Sequence, residues 1–259
     1  AGQQRSLLYS LGALALALAA SRAAGSSSGQ AVSAGLASAQ ALARQYHGQL
    51  EAKVEERTRQ LQHLAEHDPL TRLPNRRQLL AQLNNALARA AASGGLVGVY
   101  FLDLDHFKNI NDSMGHVFGD RVLQTIGDRL RGITKEFGLS ARLGGDEFTV
   151  VYERATQMEE IQFAGQALVS AFQQPLLVDG RELVIGLSVG ASVFPEHGRD
   201  PEALLRAADA ALFRAKALGR SQFSLFSPDL LEAAASKFAT EQGLRRAIER
   251  GEFELYFQP

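Results

Sequence analysis

The chain of 259 residues contains no cysteine. Disulfide staples and thiolate metal sites are therefore excluded, in keeping with a reducing compartment. It also lacks an excess of either charge, with a formal net charge of -1, so it has no basic surplus of the kind nucleic-acid binders carry. No nucleic-acid partner is expected. No internal repeat is visible. A long hydrophobic run is missing as well: the most apolar early stretch, residues 7–20 ("LLYSLGALALALAA"), has fourteen residues, short of the roughly 20 that cross a bilayer. Three readings of it stay open: the end of a membrane helix, a signal-peptide core, or a buried or interfacial helix.

What is present describes an ordinary folded protein, 46% hydrophobic and 21% charged, able to bury a substantial core. Residues 25–29, "GSSSG", have linker composition. From Leu36 to about Glu66 the chain is rich in Ala, Gln, Glu, Leu and Arg and free of proline. Leu50, Val54, Leu61 and Leu64 follow a four-three spacing with Arg57 in the remaining seam position. That pattern suits a helix that pairs with a copy of itself, or a single solvated helix. Pro69 and Pro74 then force a turn.

Beyond this point helical and strand patterns mix. Helices are expected at 76–92, 116–133, 157–173 and 201–218, and a buried strand at 96–105. Residues 139–152 read as two strands joined at Gly144-Gly145, in a type I′ turn. Another hairpin turns at Asp179-Gly180 and continues into a long apolar strand, and "SQFSLFS" supplies the last strand. The expected fold class is α/β, an α+β sandwich with one central sheet and helices packed around it, preceded by a helical linker.

Three stretches carry chemistry. In "FLDLDHFKNINDSMGHVFGD" (101–120), Asp103 and Asp105 lie two apart on a strand, so both side chains are expected on one face. Carboxylates ending an apolar strand need compensation, and Mg²⁺ takes one or two carboxylates together with substrate phosphates. Strands also end in Asp for turn reasons. In "ARLGGDEFTVVY" (141–152), glycine lets backbone approach a phosphate and Asp146 is placed as a second metal carboxylate, although a plain hairpin with exposed acids gives the same local pattern. In "AKALGR" (215–220), Lys216 and Arg220 stand four apart near a helix end, placed to hold a triphosphate or simply to suit the helix dipole.

Together with "DPLTRLPNRR", "LSVGASVFP" and "ADAALFRAKALGRSQF", these stretches resemble the GGDEF domain of diguanylate cyclases over roughly residues 66–226. The resemblance implies a fold like that of nucleotidyl cyclases and polymerase palms. It implies condensation of two GTP into cyclic di-GMP with release of two pyrophosphates. It makes Asp103, Asp146 and the Leu104 carbonyl the ligands of Mg²⁺, with Mn²⁺ as a substitute, and Asp146 and Glu147 the catalytic acids. Asn111 and Asp120 match guanine readers, and His116 another substrate contact. Lys108, Lys216 and Arg220 would neutralise the triphosphate, which backbone around Phe107, Gly144 and Gly145 would approach. Each domain holds one GTP, so a homodimer is implied.

Two departures matter. Family members under product inhibition carry Arg-x-x-Asp shortly before the glycines, whereas this chain has "KEFG" at 135–138; no feedback through that site is expected. The string "EAL" at 202–204 is discounted as a helix start, but the tail "LRRAIERGEFELYFQP" resembles the opening of an EAL phosphodiesterase domain. The expected organisation is a membrane-proximal or truncated transmembrane segment at 1–24, a linker and signalling helix at 25–66, the GGDEF domain at 67–228, and a linker helix opening into an EAL domain at 229–259. This places the protein on the cytoplasmic side of an inner membrane. The alternative function is a catalytically weak GTP-binding module that regulates the adjoining phosphodiesterase.

Overall fold

The computed structural model describes residues 28–230, 246–248 and 250–253. The apolar stretch at 7–20 and most of the EAL-like tail lie outside the described residues. The chain divides into two compact units, Ala1–His63 and Leu64–Pro259.

Helix α1 runs from Ser28 to Glu66, so it already takes in the last two residues of the expected "GSSSG" break. Along it Leu42, Tyr46, Leu50, Val54 and Leu64 are exposed. No helix among the described residues is long and apolar enough to cross a membrane.

The second unit is built on a five-stranded sheet in the order β2-β3-β1-β6-β7. Its strands are β1 (Leu96–Leu104), β2 (Gly138–Gly144), β3 (Glu147–Ala155), β6 (Leu187–Phe194) and β7 (Phe223–Leu225). Only β6 and β7 pair in parallel; the other neighbours are antiparallel. A separate two-stranded hairpin joins β4 (Leu176–Val178) to β5 (Arg181–Leu183). The helices are α2 (Arg76–Ser93), α3 (Phe107–Met114), α4 (His116–Thr134), α5 (Met158–Gln173) and α6 (Pro201–Ala217).

The two-residue period of β1 decides which helices go where. Tyr100, Leu102 and Leu104 face one core with Val122, Ile126 and Leu130 of α4 and Ile161 and Leu168 of α5. Val97 and Val99 face a second core with Leu79 and Leu83 of α2 and Leu204, Leu205 and Ala208 of α6. All eight residues of β6 are buried, as a strand covered on both faces must be. Helix α6 presents Ala207, Ala208, Ala211 and Ala215 and comes so near β6 that a Cβ on Gly190 would lie 2.0 Å from the Leu212 nitrogen. Two buried hydroxyls are paired: Ser192 Oγ donates to the Leu204 carbonyl at 2.7 Å, and the Tyr100 hydroxyl to that of Ile161 at 2.8 Å.

The expected helix at 201–218 ends at Ala217. Its start is capped by Asp200, which accepts from the Ala203 N–H, with Pro201 in the first turn, so the "EAL" string is indeed a helix N-terminus. Helix α3 is an element the sequence pattern did not announce. Its residues, "FKNINDSM", are mostly polar, and His106 before it makes no capping hydrogen bond and takes φ 60°.

Candidate active site

The site lies where β1 and β3 end together. Asp103 stands opposite Glu147 in the antiparallel register, and the β2–β3 turn carries Asp146 between Gly145 and Glu147. The turn is not the expected type I′ at Gly144-Gly145. Gly144 pairs with Glu147, so the tip is Gly145-Asp146, and only Gly145 (φ 52°) is left-handed there; Gly144 is at φ 153°. A type I′ turn requires positive φ at both central residues. The shift by one residue, through an irregularity between Arg142 and Gly144, puts Asp146 at the tip itself.

Lys216 closes the other side. Its Nζ lies 2.7 Å from Asp103 Oδ1, with the Asp103 side chain 15% exposed. Desolvation raises the Asp103 carboxyl above its ordinary value and Asp146 and Asp105 push it further, against the opposing pull of Lys216. Glu147 is also raised, by desolvation first and then by the charges of Asp103, Asp209 and Asp146, with Lys216 again opposing. Asp209 on α6 is raised by desolvation and opposed by Lys216. Four carboxylates thus crowd one ammonium. The sequence pattern does not single out Asp209; its placement one helical face from Lys216, seven residues on, is the available signal.

This mouth suits a hard divalent cation. Its donors are carboxylate oxygens, whose mutual repulsion such an ion relieves. Among the described residues no three acidic or imidazole side chains converge into a metal cage.

Asp105 corrects the expectation of a carboxylate pair on one face. The strand stops at Leu104, and Asp105 is 7% exposed with its oxygens taken by Ser188 and Ser221. Arg220 also departs from expectation. It lies beyond the end of α6, in the left-handed region at φ 65°, and so does not share a helical face with Lys216.

One candidate guanine reader, Asn111, is seated by a glycine. A Cβ on Gly119 would fall 1.9 Å from Asn111 Oδ1, so glycine lets the Asn111 side chain of α3 lie against α4 one residue before Asp120. His116 opens α4 and is exposed, and exposed Lys108 lies in the first turn of α3, after Phe107.

An anchoring clamp lies behind the turn. Arg142 donates from Nη2 to the Gly145 carbonyl at 2.7 Å and from Nη1 to Asp68 Oδ1 at 2.9 Å. Asp68 also accepts from the Thr71 N–H and hydroxyl, at 2.8 and 2.7 Å. The "DPLT" loop thereby fixes the carbonyl next to Asp146.

The family profile described as "Diguanylate cyclase, GGDEF domain" matches residues 65–222. The chain belongs to the GGDEF family. It is 39% identical over 199 residues to the cyclic di-GMP phosphodiesterase NbdA of Pseudomonas aeruginosa, covering 77% of this chain and 25% of that protein. It is 39% identical over 171 residues to the diguanylate cyclase TpbB of Pseudomonas aeruginosa, covering 66% of this chain and 39% of the relative. The chain therefore spans well under half of these relatives. A solved structure of the isolated GGDEF domain of TpbB superimposes with a TM-score of 0.63 at 36% identity, covering 65% of this chain and 99% of that one. The mixed sheet with helices on both faces is the GGDEF fold, as expected.

The "KEFG" departure has a structural counterpart. A Cβ on Gly138, where the family's inhibitory aspartate would stand, would lie 1.7 Å from the Val151 carbonyl oxygen. Strand β2 pairs with β3 there, Gly138 opposite Tyr152, with no room for a side chain.

Proposed function

We propose that this domain is a diguanylate cyclase that joins two GTP molecules into cyclic di-GMP. The observation that carries the reading is the crowded carboxylate mouth, with Lys216 against Asp103, at the end of the sheet. Asp103, Asp146 and the Leu104 carbonyl would hold Mg²⁺, which supplies charge neutralisation at the α-phosphate and acidifies the attacking 3′-hydroxyl.

The protein's own groups do the rest. Asn111 and Asp120 read the guanine edge: a carboxylate accepts from N1–H and the exocyclic amine, a donor pair adenine lacks. Lys108, Lys216, Arg220 and the α3 N-terminus around Phe107 neutralise the triphosphate, with His116 a further substrate contact and Gly144 and Gly145 leaving the turn open to phosphate. Lys216 leaves Asp103 for the phosphates when substrate enters. Glu147 takes the 3′-hydroxyl proton, a role its raised pKa suits. The 3′-oxygen then attacks the α-phosphorus of the facing GTP and pyrophosphate departs from the opposite side. Repeating the step in the other direction closes the ring.

Each domain carries one GTP, so two must face each other. The exposed row of Leu42, Tyr46, Leu50 and Val54 on α1 supports pairing of two copies through that helix. We extend the reading to the whole protein as a GGDEF–EAL tandem, tethered on the cytoplasmic side of an inner membrane.

Purified dimeric protein with GTP and Mg²⁺ should form cyclic di-GMP, and Asp146→Ala should not. No product from a demonstrated dimer would overturn the cyclase. GTP binding retained in that case would favour the second reading, a regulatory module for an adjoining phosphodiesterase, which the similarity to NbdA supports.

A further inference from the structure

Asp105 is a buried carboxylate that the proposed chemistry leaves unused. Ser188 Oγ donates to its Oδ1 at 2.7 Å. The Ser221 N–H and hydroxyl donate to Oδ2 at 2.8 and 2.9 Å. Its own N–H donates to the Gly186 carbonyl at 2.9 Å. The corner is filled: a Cβ on Gly186 would lie 2.2 Å from Ser221 Oγ and 2.8 Å from Asp105 Oδ2.

The backbone held by this carboxylate is unusual. Gly219, Arg220 and Ser221 have φ of 123°, 65° and 49°. Arginine and serine seldom adopt such angles, and consecutive left-handed residues persist only where their surroundings dictate them. Here the constraint comes from both sides. The Arg220 N–H donates back to the Ala215 carbonyl at 3.1 Å, and Asp105 holds Ser221. The Arg220 side chain is exposed and has no hydrogen bond or ion pair among the described residues. A fixed backbone with an unengaged guanidinium, next to the helix end that carries Lys216, is an arginine set in place for an anion.

We propose that Asp105 is a positioning residue for triphosphate binding. Through Ser221 it holds the left-handed turn that sets Arg220 beside Lys216. The inference rests on GTP being the substrate, and it gives the two carboxylates of "DLD" different tasks. Asparagine at 105 replaces one acceptor oxygen by a donor. The amide can turn its oxygen to the Ser221 N–H, but Ser188 Oγ then loses its acceptor and the Ser221 bonds lose their charge assistance, so the turn loosens.

Isothermal titration of the whole chain with GTP and with GMP tests this. Asp105→Asn should weaken GTP about tenfold, and GMP by less than about twofold, because the loss falls on the outer phosphates. Ser221→Ala, which keeps the backbone contact, should weaken GTP about threefold with the same selectivity. Added to Arg220→Ala, each should cost less than about twofold more, since residues acting through one group are not additive. Equal losses for GTP and GMP, unchanged GTP binding, or losses that multiply with Arg220→Ala would overturn the proposal. Wild-type protein that binds no GTP would overturn the substrate reading beneath it, which the other outcomes leave standing. If Asp105→Asn does not fold, the Ser221→Ala and Arg220→Ala pair decides the same question by the same selectivity and non-additivity.

Discussion

Asp103 and Asp105 stand two residues apart at the end of one strand, in opposite surroundings. Asp103 opens onto a mouth shared with Asp146, Glu147 and Asp209, where Lys216 is its one cationic partner among the described residues and desolvation with like charge raises its carboxyl. Asp105 is sealed in a corner where Ser188 and Ser221 supply three donors. Asp68 belongs with Asp105: burial alone would raise it, but Thr71 and Arg142 outweigh that and hold it below the ordinary value. The contrast separates acids that hold the fold from acids kept in want of a cation. A carboxylate short of donors at a sheet end is poised to bind one, and a carboxylate saturated with donors fixes backbone.

Removing an acid from the open mouth should have the largest effect. Asp146→Ala should lower the rate of cyclic di-GMP formation about a thousandfold or more, as expected for loss of a group that stabilises charge in the transition state. The melting temperature should hold near that of wild type, so kinetics and thermal melts together check it.

A saturated acid should behave the other way. Asp68→Ala leaves the Arg142 guanidinium, 10% exposed, without its carboxylate partner, at about 3 kcal/mol in urea unfolding. The sign with pH follows from the lowered carboxyl. Its contribution is complete above the unfolded value, near 3.8, and is lost as pH falls through the lower folded value. The difference between variant and wild type should therefore shrink in strong acid.

Gly119→Ala probes the proposed guanine contact of Asn111 without touching an acid. Its methyl would displace Asn111 Oδ1, and KM for GTP should rise about tenfold with a smaller change in kcat.

The smallest effect sharpens the contrast most. Glu147→Gln removes one repelling charge from the metal-free mouth. A raised folded pKa means that the ionised form is penalised, so wild-type stability falls as pH rises from the unfolded value, near 4.5, through the folded one. The variant should match wild type in acid and melt roughly 1 °C higher at neutral pH, the scale of a surface substitution. Paired thermal melts at the two pH values would show it.

Much of this arrangement was legible in the residues. The hydrophobic run of β1 and the apolar period of α2, α4, α5 and α6 place the sheet and its helices within a residue or two, because burial itself writes that pattern. Three of the four open acids were legible together, since Asp103 and the Gly-Gly turn with Asp146 and Glu147 keep company with Lys216; Asp209 was not. What separates Asp103 from Asp105 was not legible, because the donors to Asp105 come from Ser188 and Ser221, 83 and 116 residues away. The turn type at Gly145-Asp146 was hidden for a related reason. The irregularity after Arg142 shifts the pairing by one, and Arg142 bonds back to Gly145 and across to Asp68. Helix α3 escaped because its apolar stripe of Phe107, Ile110 and Met114 is spread over only eight otherwise polar residues, too short a run to stand out, although packing of Phe107 and Ile110 against the core holds it in place.

The contrast between the two acids is tested most directly by metal affinity. Mn²⁺ binding, followed by electron paramagnetic resonance with a saturating non-reactive GTP analogue, should be lost in Asp103→Ala and should stay within about threefold of wild type in Asp105→Asn. An Asp105→Asn protein that loses Mn²⁺ as completely as Asp103→Ala would contradict the account, because both acids would then serve the cation.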